Sequence, residues 1–313
     1  MAPRSPRSAC AITHDSYSIL IVGMSMDPET AKVAGIILSE LRKNSGYLAR
    51  QEIEKLLDKI RRDEKRLEPF GFKVYSQNDE DGIIEEIFNR IGIRQGRFCE
   101  IGVENGLECN SLYLIHKGWL GCWIEGNPHQ HESIQRKFSS LLANGRLQLS
   151  RDFASAENIN ILLNKYEQTQ GEVDFLSIDI DGNDIYLLAA MNVHPKVICI
   201  EYNAKFPPPV AKKPVYDPKN KWKGTDYMGA SLVAIIETAR KKGYDLVGTN
   251  ITGSNAFFVR EDLVGNSFCA NKSAEYLYNP PRYWLTFDGF AHIGHPPDFG
   301  PYTDLIGTES SRQ

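Results

Sequence analysis

Five short apolar runs, each carrying or followed by an acid, recur through the middle of the chain and leave few ways for it to fold. Arg97–Ile101 carries Glu100. Leu120–Ile124 leads into Glu125, Leu147–Ser150 into Arg151-Asp152-Phe153, Phe175–Ile178 into Asp179, and Val197–Ile200 into Glu201. Runs of this length suit buried strands, and the stretches between them (107–117, 129–143, 156–169 and 183–190) read as helices. Such alternation predicts a parallel sheet with helices on both faces. Ser231–Gly243 reads as another helix, ended by its glycine. Tyr244–Thr249 and Asn255–Arg260 read as two late strands, turned at Gly253 and able to pair antiparallel. The expected class is α/β, with a seven-stranded, mostly parallel sheet and one antiparallel late strand.

In open sheets of this kind ligands sit beyond the carboxyl ends of the strands. Glu100, Glu125, Asp152, Asp179 and Glu201 are therefore expected to converge on one crevice. The stretch Phe98–Gly106 organises it: a strand bearing Glu100 breaks into a turn with Gly102 and Gly106. Glycine lets the backbone bend and a ligand come close, and a helix from Leu107 would aim its first N–H groups at that ligand. The plain alternative is an ordinary strand–turn–helix with Glu100 solvated. Glu125 lies 25 positions after Glu100, where a carboxylate accepts the ribose hydroxyls of an adenosine ligand. NAD and S-adenosylmethionine both fit that geometry. The turn separates them: a dinucleotide loop wants G-x-G-x-x-G, whereas here Glu104 sits between Gly102 and Gly106. A carboxylate there repels a diphosphate and tolerates a sulfonium.

Glu100-Ile-Gly102-Val-Glu-Asn-Gly106 resembles the first motif of class I S-adenosylmethionine-dependent methyltransferases, and the span 75–260, about 60% of the chain, is most similar to their FkbM-type branch. The resemblance implies a Rossmann-like sheet and, from what that branch often does, O-methylation of a small polar acceptor, sugar-like or a natural product. It implies that Glu100, Gly102 and Gly106 face the methionine part of the cofactor and that Glu125 holds the ribose. Asp152 would meet the adenine amine while Phe153 packs on the ring. Asn105, Gly126 and Asp179 complete the expected cofactor contacts.

Ser177-Ile-Asp179-Ile-Asp181-Gly-Asn183-Asp184 places three acids in six residues beside a glycine. Such a cluster can collect a hard cation on oxygen ligands, with Glu201 and Asn203 completing the shell. The pattern is similar to magnesium-dependent O-methyltransferases, which carry one carboxylate after strand four and an acid pair after strand five. Here Tyr202 separates Glu201 from Asn203, a departure from that pair. The metal expectation is Mg2+ on Asp179, Asp181, Glu201 and Asn203. The alternative is a helix start capped by Asp181 or Asn183, with Asp179 touching only cofactor or backbone. Asp181, with Asp179, is the candidate catalytic pair; without a metal O-methylation needs a general base, for which Asp181 is best placed. His194 reads as a turn residue, and His292 and His295 as loop residues. Residues 204–228, with Pro207-Pro208-Pro209, Lys212, Lys213, Lys219–Lys223, Trp222 and Tyr227, form a long irregular segment. Segments of that kind often serve as lids, and this basic–aromatic mix suits an anionic or sugar-like substrate.

Outside the core, Asp27 and Pro28 read as a helix start, with a second helix from about Gly46 to Leu67. The pair reads as a cap or a dimerisation arm, and the charged run Lys59–Arg66 as a solvated face. After Pro69-Phe70-Gly71 comes Ser76-Gln77-Asn78, which either reaches into the cofactor site or simply precedes a helix at Ile83–Ile91. The expected division is 1–70 helical extension, 71–265 catalytic core, and 266–313 a tail packing on the core or a neighbouring subunit. A net charge of −4 argues against broad nucleic-acid binding. Ile19–Val22 is too short for a membrane span and lacks a cleavage pattern. Six cysteines without zinc spacing suggest a reduced, cytoplasmic chain. The competing readings are an NAD-dependent oxidoreductase and a non-catalytic methyltransferase-like binding subunit.

Overall fold

The computed structural model describes residues 27–285 and 294–305. The expectations for the first 26 residues and for His292 lie outside them. In chain order the elements are α1 (Pro28–Ile60), α2 (Glu80–Arg90), β1 (Arg97–Ile101), α3 (Leu112–His116), β2 (Leu120–Ile124), α4 (Pro128–Lys137), α5 (Ser139–Ala143) and β3 (Leu147–Ser150). Then come α6 (Ile159–Gln170), β4 (Phe175–Ile178), α7 (Asp184–Ala190), β5 (Val197–Glu201), β6 (Lys212–Pro214) and α8 (Leu232–Arg240). The chain closes with β7 (Tyr244–Thr249), β8 (Asn255–Arg260), α9 (Glu261–Val264), α10 (Ala274–Leu277) and β9 (Tyr302–Asp304).

Seven strands form one sheet in the order β3-β2-β1-β4-β5-β8-β7. β1 to β5 pair in parallel, and β8 runs antiparallel to both β5 and β7. This is the expected Rossmann-like sheet with its single antiparallel late strand. Side chains alternate between faces. Phe98, Trp123, Phe175, Val197 and Phe257 pack with Ile83 and Ile87 of α2 on one side. Cys99, Ile101, Leu176, Ile198 and Phe258 pack with α6, α7 and α8 on the other. Leu67, from the segment expected to be an extension, lies in the first of these cores, and Leu277, from the expected tail, in the second. No described helix is long and apolar enough to cross a membrane.

Several boundaries differ from the sequence reading, each for a local reason. The two N-terminal helices are one 33-residue helix that runs through Gly46 and stops at Ile60. An interior glycine costs only about 1 kcal/mol. Residues 107–111 are not helical, because their amides are drawn to Glu100; α3 starts at Leu112. The 129–143 helix is broken at Phe138 into α4 and α5. Ser231 is the N-cap of α8, its Oγ accepting from the Ala234 N–H. The 204–228 segment contributes β6, which pairs antiparallel with β9 in a separate two-stranded ribbon.

Candidate functional site

The strand ends of the sheet line up residue by residue. Glu100 is in register with Ser177, Ser177 with Cys199 and Cys199 with Phe257. Two residues further along each strand, on the same face, lie Gly102, Asp179, Glu201 and Asn255, and Glu201 pairs directly with Asn255. The strand ends thus set Asp179, Glu201 and Asn255 in one row beside Gly102, at the end of the sheet where the expected crevice lies.

Glu100 sits one layer below that crevice, buried at 2% exposure. One carboxylate oxygen accepts from the Asn110 N–H at 2.8 Å; the other accepts from the Ser111 N–H at 2.9 Å and from Ser111 Oγ. Trp123 Nε1 donates to the same Ser111 hydroxyl at 2.8 Å, and Asn110 Nδ2 donates to Ser177 Oγ at 3.1 Å. Glu100 is therefore neither solvated nor open to a ligand; it folds the 107–111 loop. The glycines also differ from expectation. A Cβ on Gly102 would lie 1.7 Å from the Asp179 carbonyl oxygen, and one on Gly106 would lie 2.6 Å from the Trp123 ring. Both have positive φ, +80° and +75°. The close approach they allow is made by the protein's own chain, which brings the loop after β4 against the loop after β1.

That approach creates the acidic centre. Asp179, Asp181 and Glu201 offer carboxylate oxygens that all lie within 4.8 Å of one another. Asp181 is held at φ +55°, an uncommon conformation for a residue with a side chain. Asp184 imposes it: its two carboxylate oxygens accept the Ile180 and Gly182 N–H groups, each at 2.8 Å. Among the described residues no lysine or arginine pairs with any of the three carboxylates. Oε2 of Glu201 is buried without a hydrogen-bond partner. Burial pushes all three acids upward, and for Asp179 and Glu201 the charges of Asp181 and Asp184 add to it. Asp181 is raised to about 7, by burial first and then by Asp184 and Glu104.

Asn203 does not join the centre. Its Nδ2 donates to the Asp226 and Met228 carbonyls, at 2.9 and 2.5 Å, and its Oδ1 accepts from the Lys205 N–H at 3.1 Å. It braces the end of the long loop. The helix-cap alternative fails as well: Asn183 makes no side-chain cap, and its Nδ2 donates instead to the Asp217 carbonyl at 2.8 Å. Oδ1 of Asn183 is left buried without a partner.

The β2 and β3 side of the crevice is quieter. Glu125 is buried, accepts the Asn127 N–H at 2.7 Å and is pushed upward by burial. Ser150 Oγ donates to Asp152 at 2.5 Å, and Asn105 Oδ1 accepts the Leu107 N–H at 2.9 Å. Phe153 is 61% exposed, with its ring over Gly126, where a Cβ would meet it at 2.3 Å. The Lys221 ammonium lies 5.2 Å from the centre of the same ring. Ser76 and Asn78 do not reach the crevice. Asp81 takes the N–H groups of Val74, Tyr75 and Ser76, and Glu80 takes that of Asn78.

The sequence reading missed Asp184 and Glu104 as shapers of this centre. Strand parity from Asp179 points back to Ser177 and across to Asn255. Nothing in the sequence announces the positive φ of Glu104, +48°.

No family model and no curated protein matches this chain. Solved structures match it only at low identity and low TM-score. An O-methyltransferase family protein from Burkholderia thailandensis is 10% identical over 56% of this chain and 54% of its own, with a TM-score of 0.38. A TehB-like SAM-dependent methyltransferase from Corynebacterium glutamicum is 13% identical over 67% and 99%, TM-score 0.33. A conserved hypothetical protein from Streptococcus pyogenes is 18% identical over 56% and 94%, TM-score 0.35. At these values the similarity says nothing about activity, and the strand order stands on its own pairing.

Proposed function

We propose that this protein is a methyltransferase that uses S-adenosylmethionine and methylates an oxygen of a small polar acceptor, with Mg2+ held by Asp179, Asp181 and Glu201. One observation carries the reading: three buried or half-buried carboxylates meet at the ligand-binding edge of the sheet with no basic partner among the described residues. Buried charge is costly unless paired, so this arrangement calls for a cation from outside the chain. The orphaned Oε2 of Glu201 and the proton held near neutrality by Asp181 fit an oxygen-donor site for a hard divalent ion. Such an ion would lower the pKa of an acceptor hydroxyl and orient it.

The rest follows from the chain's own groups. Without the ion, Asp181, raised to about 7, would be the group placed to take the acceptor's proton near neutral pH. Glu125 and Asp152 stand at the ends of β2 and β3 for the ribose and adenine, and Gly126 and Phe153 supply an apolar wall. Glu104, inside the turn, disfavours a pyrophosphate and so an NAD cofactor. The loop from Tyr216 to Lys223 spans the mouth: Tyr216 Oη meets Glu157 and the Ala156 N–H on one side, and Asp217 meets Asn183 on the other. Its lysines and Trp222 suit a sugar-like or anionic acceptor.

Calorimetric titration with S-adenosylhomocysteine, with magnesium and then with chelator, tests the cofactor and the metal separately. A screen of small hydroxylated acceptors for the mass gain of one methyl tests turnover. Binding of NAD in place of S-adenosylhomocysteine would replace the proposal with an oxidoreductase. Cofactor binding without turnover on any acceptor would favour a binding subunit.

A further inference from the structure

Helix α1 is 33 residues long, about 50 Å at 1.5 Å per residue. Only its C-terminal part is packed: Ala49, Ile53 and Leu57 are buried against Ile251 and Leu285. The N-terminal half is apolar on one side, and no described residue buries that side. Val33, Ile37, Leu41 and Leu48 are 50%, 53%, 55% and 63% exposed. At about 100° per residue these four fall within about 80° of one another. By the same count Ala49, Ile53 and Leu57 point about 150° away from them. The exposed stripe therefore faces away from the domain on which its own helix is docked, and the protomer cannot cover it by bending α1 inward. Apolar surface of this regularity marks an interaction site.

The charges beside the stripe identify the occupant. Glu29, Lys32, Glu40 and Lys43 all lie on one flank. In antiparallel helix pairs, residues on the same flank of the two helices meet. A single antiparallel register centred on Ile36 sets Glu29 opposite Lys43 and Lys32 opposite Glu40, twice each across the two-fold axis. A stripe whose flank is complementary to itself in reverse is what an isologous interface needs. The mixed signs also differ from the cationic face of a membrane-surface helix.

We infer that α1 pairs antiparallel with α1 of a second copy of this chain, through Val33, Ile37 and Leu41, and that the protein is a dimer in solution. Sedimentation velocity of the full chain at tens of micromolar should give about twice the 35.3 kDa of one chain. The double variant Ile37→Glu/Leu41→Glu should sediment as a monomer and keep its near-UV circular dichroism, since both positions are exposed in the protomer, while its melting temperature loses the concentration dependence of a dimer. Orientation is read by cysteine cross-linking: Glu29→Cys mixed with Lys43→Cys should give a disulfide-linked pair at several times the yield of either variant alone. A monomeric wild type, a dimer that survives the double variant, or preferential linking of Glu29→Cys to itself would each overturn the inference. So would a monomeric wild type that co-sediments with anionic phospholipid vesicles, because the stripe's occupant would then be lipid.

Discussion

Two groups of buried acids, built from the same residue types, are treated in opposite ways. At the start of α2, Glu80 is fully buried and accepts from the Asn78 N–H and from the side-chain amides of Asn78, Asn250 and Asn255. Beside it, one oxygen of Asp81 takes three backbone N–H groups. Asp79 completes the group; burial and the neighbouring Glu80 raise it to about 8, and its Oδ2 accepts the Ile251 N–H at 3.4 Å. At the end of β4 and β5, Asp179, Asp181 and Glu201 are brought together without comparable donors. The first group is held by backbone and amide N–H donors from within, with Oδ1 of Asp79 and Oδ1 of Asp81 left over, and ties the chain before β1 to the β7–β8 turn. The second has no such set of donors, which makes it the place where a ligand's charge is worth most. Asn255 belongs to both, paired through its backbone with Glu201 and through its amide with Glu80.

The contrast predicts that acids in the two groups fail differently. Glu201→Gln should lower turnover by roughly 10²-fold or more while the protein melts no earlier than wild type, read by single-turnover assay beside a thermal scan. Glu80→Ala should do the reverse. Leaving amide donors unpaired in a buried site costs about 2–4 kcal/mol, so denaturant unfolding should shift strongly while the folded fraction keeps its cofactor affinity. An equal loss of stability in both variants would erase the distinction.

A smaller effect has a definite sign. The folded pKa of Asp181, about 7, is raised above its ordinary value of 3.8, so between these values the folded protein binds more protons than the unfolded chain. Stability from this group is therefore full below pH 4 and is lost as pH rises through 7. Asp181→Asn should raise the melting temperature at pH 8 by about 1.5 °C, the shift about 1 kcal/mol gives in a chain of 313 residues. The gain should vanish near pH 4, and turnover should be lost at both. A melting temperature at pH 8 equal to or below wild type would show that the carboxylate is already compensated. Smallest of all, replacing Lys219, Lys221 and Lys223 together by alanine should raise KM for a charged acceptor several-fold and leave kcat within about twofold. A fall in kcat at unchanged KM would place these lysines elsewhere in the reaction.

The sheet was legible in the sequence because it depends on short-range pattern: apolar runs of four or five residues and the turns between them. Asp179, Asp181 and Glu201 were legible for the same reason, as residues at strand ends. What escaped was set by side chains acting over distance. Glu100 reaches ten residues forward and keeps 107–111 out of α3. Asn203 and Asn183 are one residue type two positions beyond an acidic strand end or loop residue. Only the three-dimensional path of residues 217–228 decides that both serve that loop. Gly102 was identified as necessary, but its neighbour is Asp179 of the next loop rather than a ligand.

The central claim is that the acidic centre at the end of β4 and β5 is waiting for a cation. Titrating magnesium at pH 7 into protein saturated with S-adenosylhomocysteine, in two buffers of different ionisation enthalpy, tests it directly. The account predicts saturable binding with release of a proton, and loss of both in Glu201→Gln. Saturation with S-adenosylhomocysteine followed by no magnesium heat, or the same heat in Glu201→Gln, would contradict it.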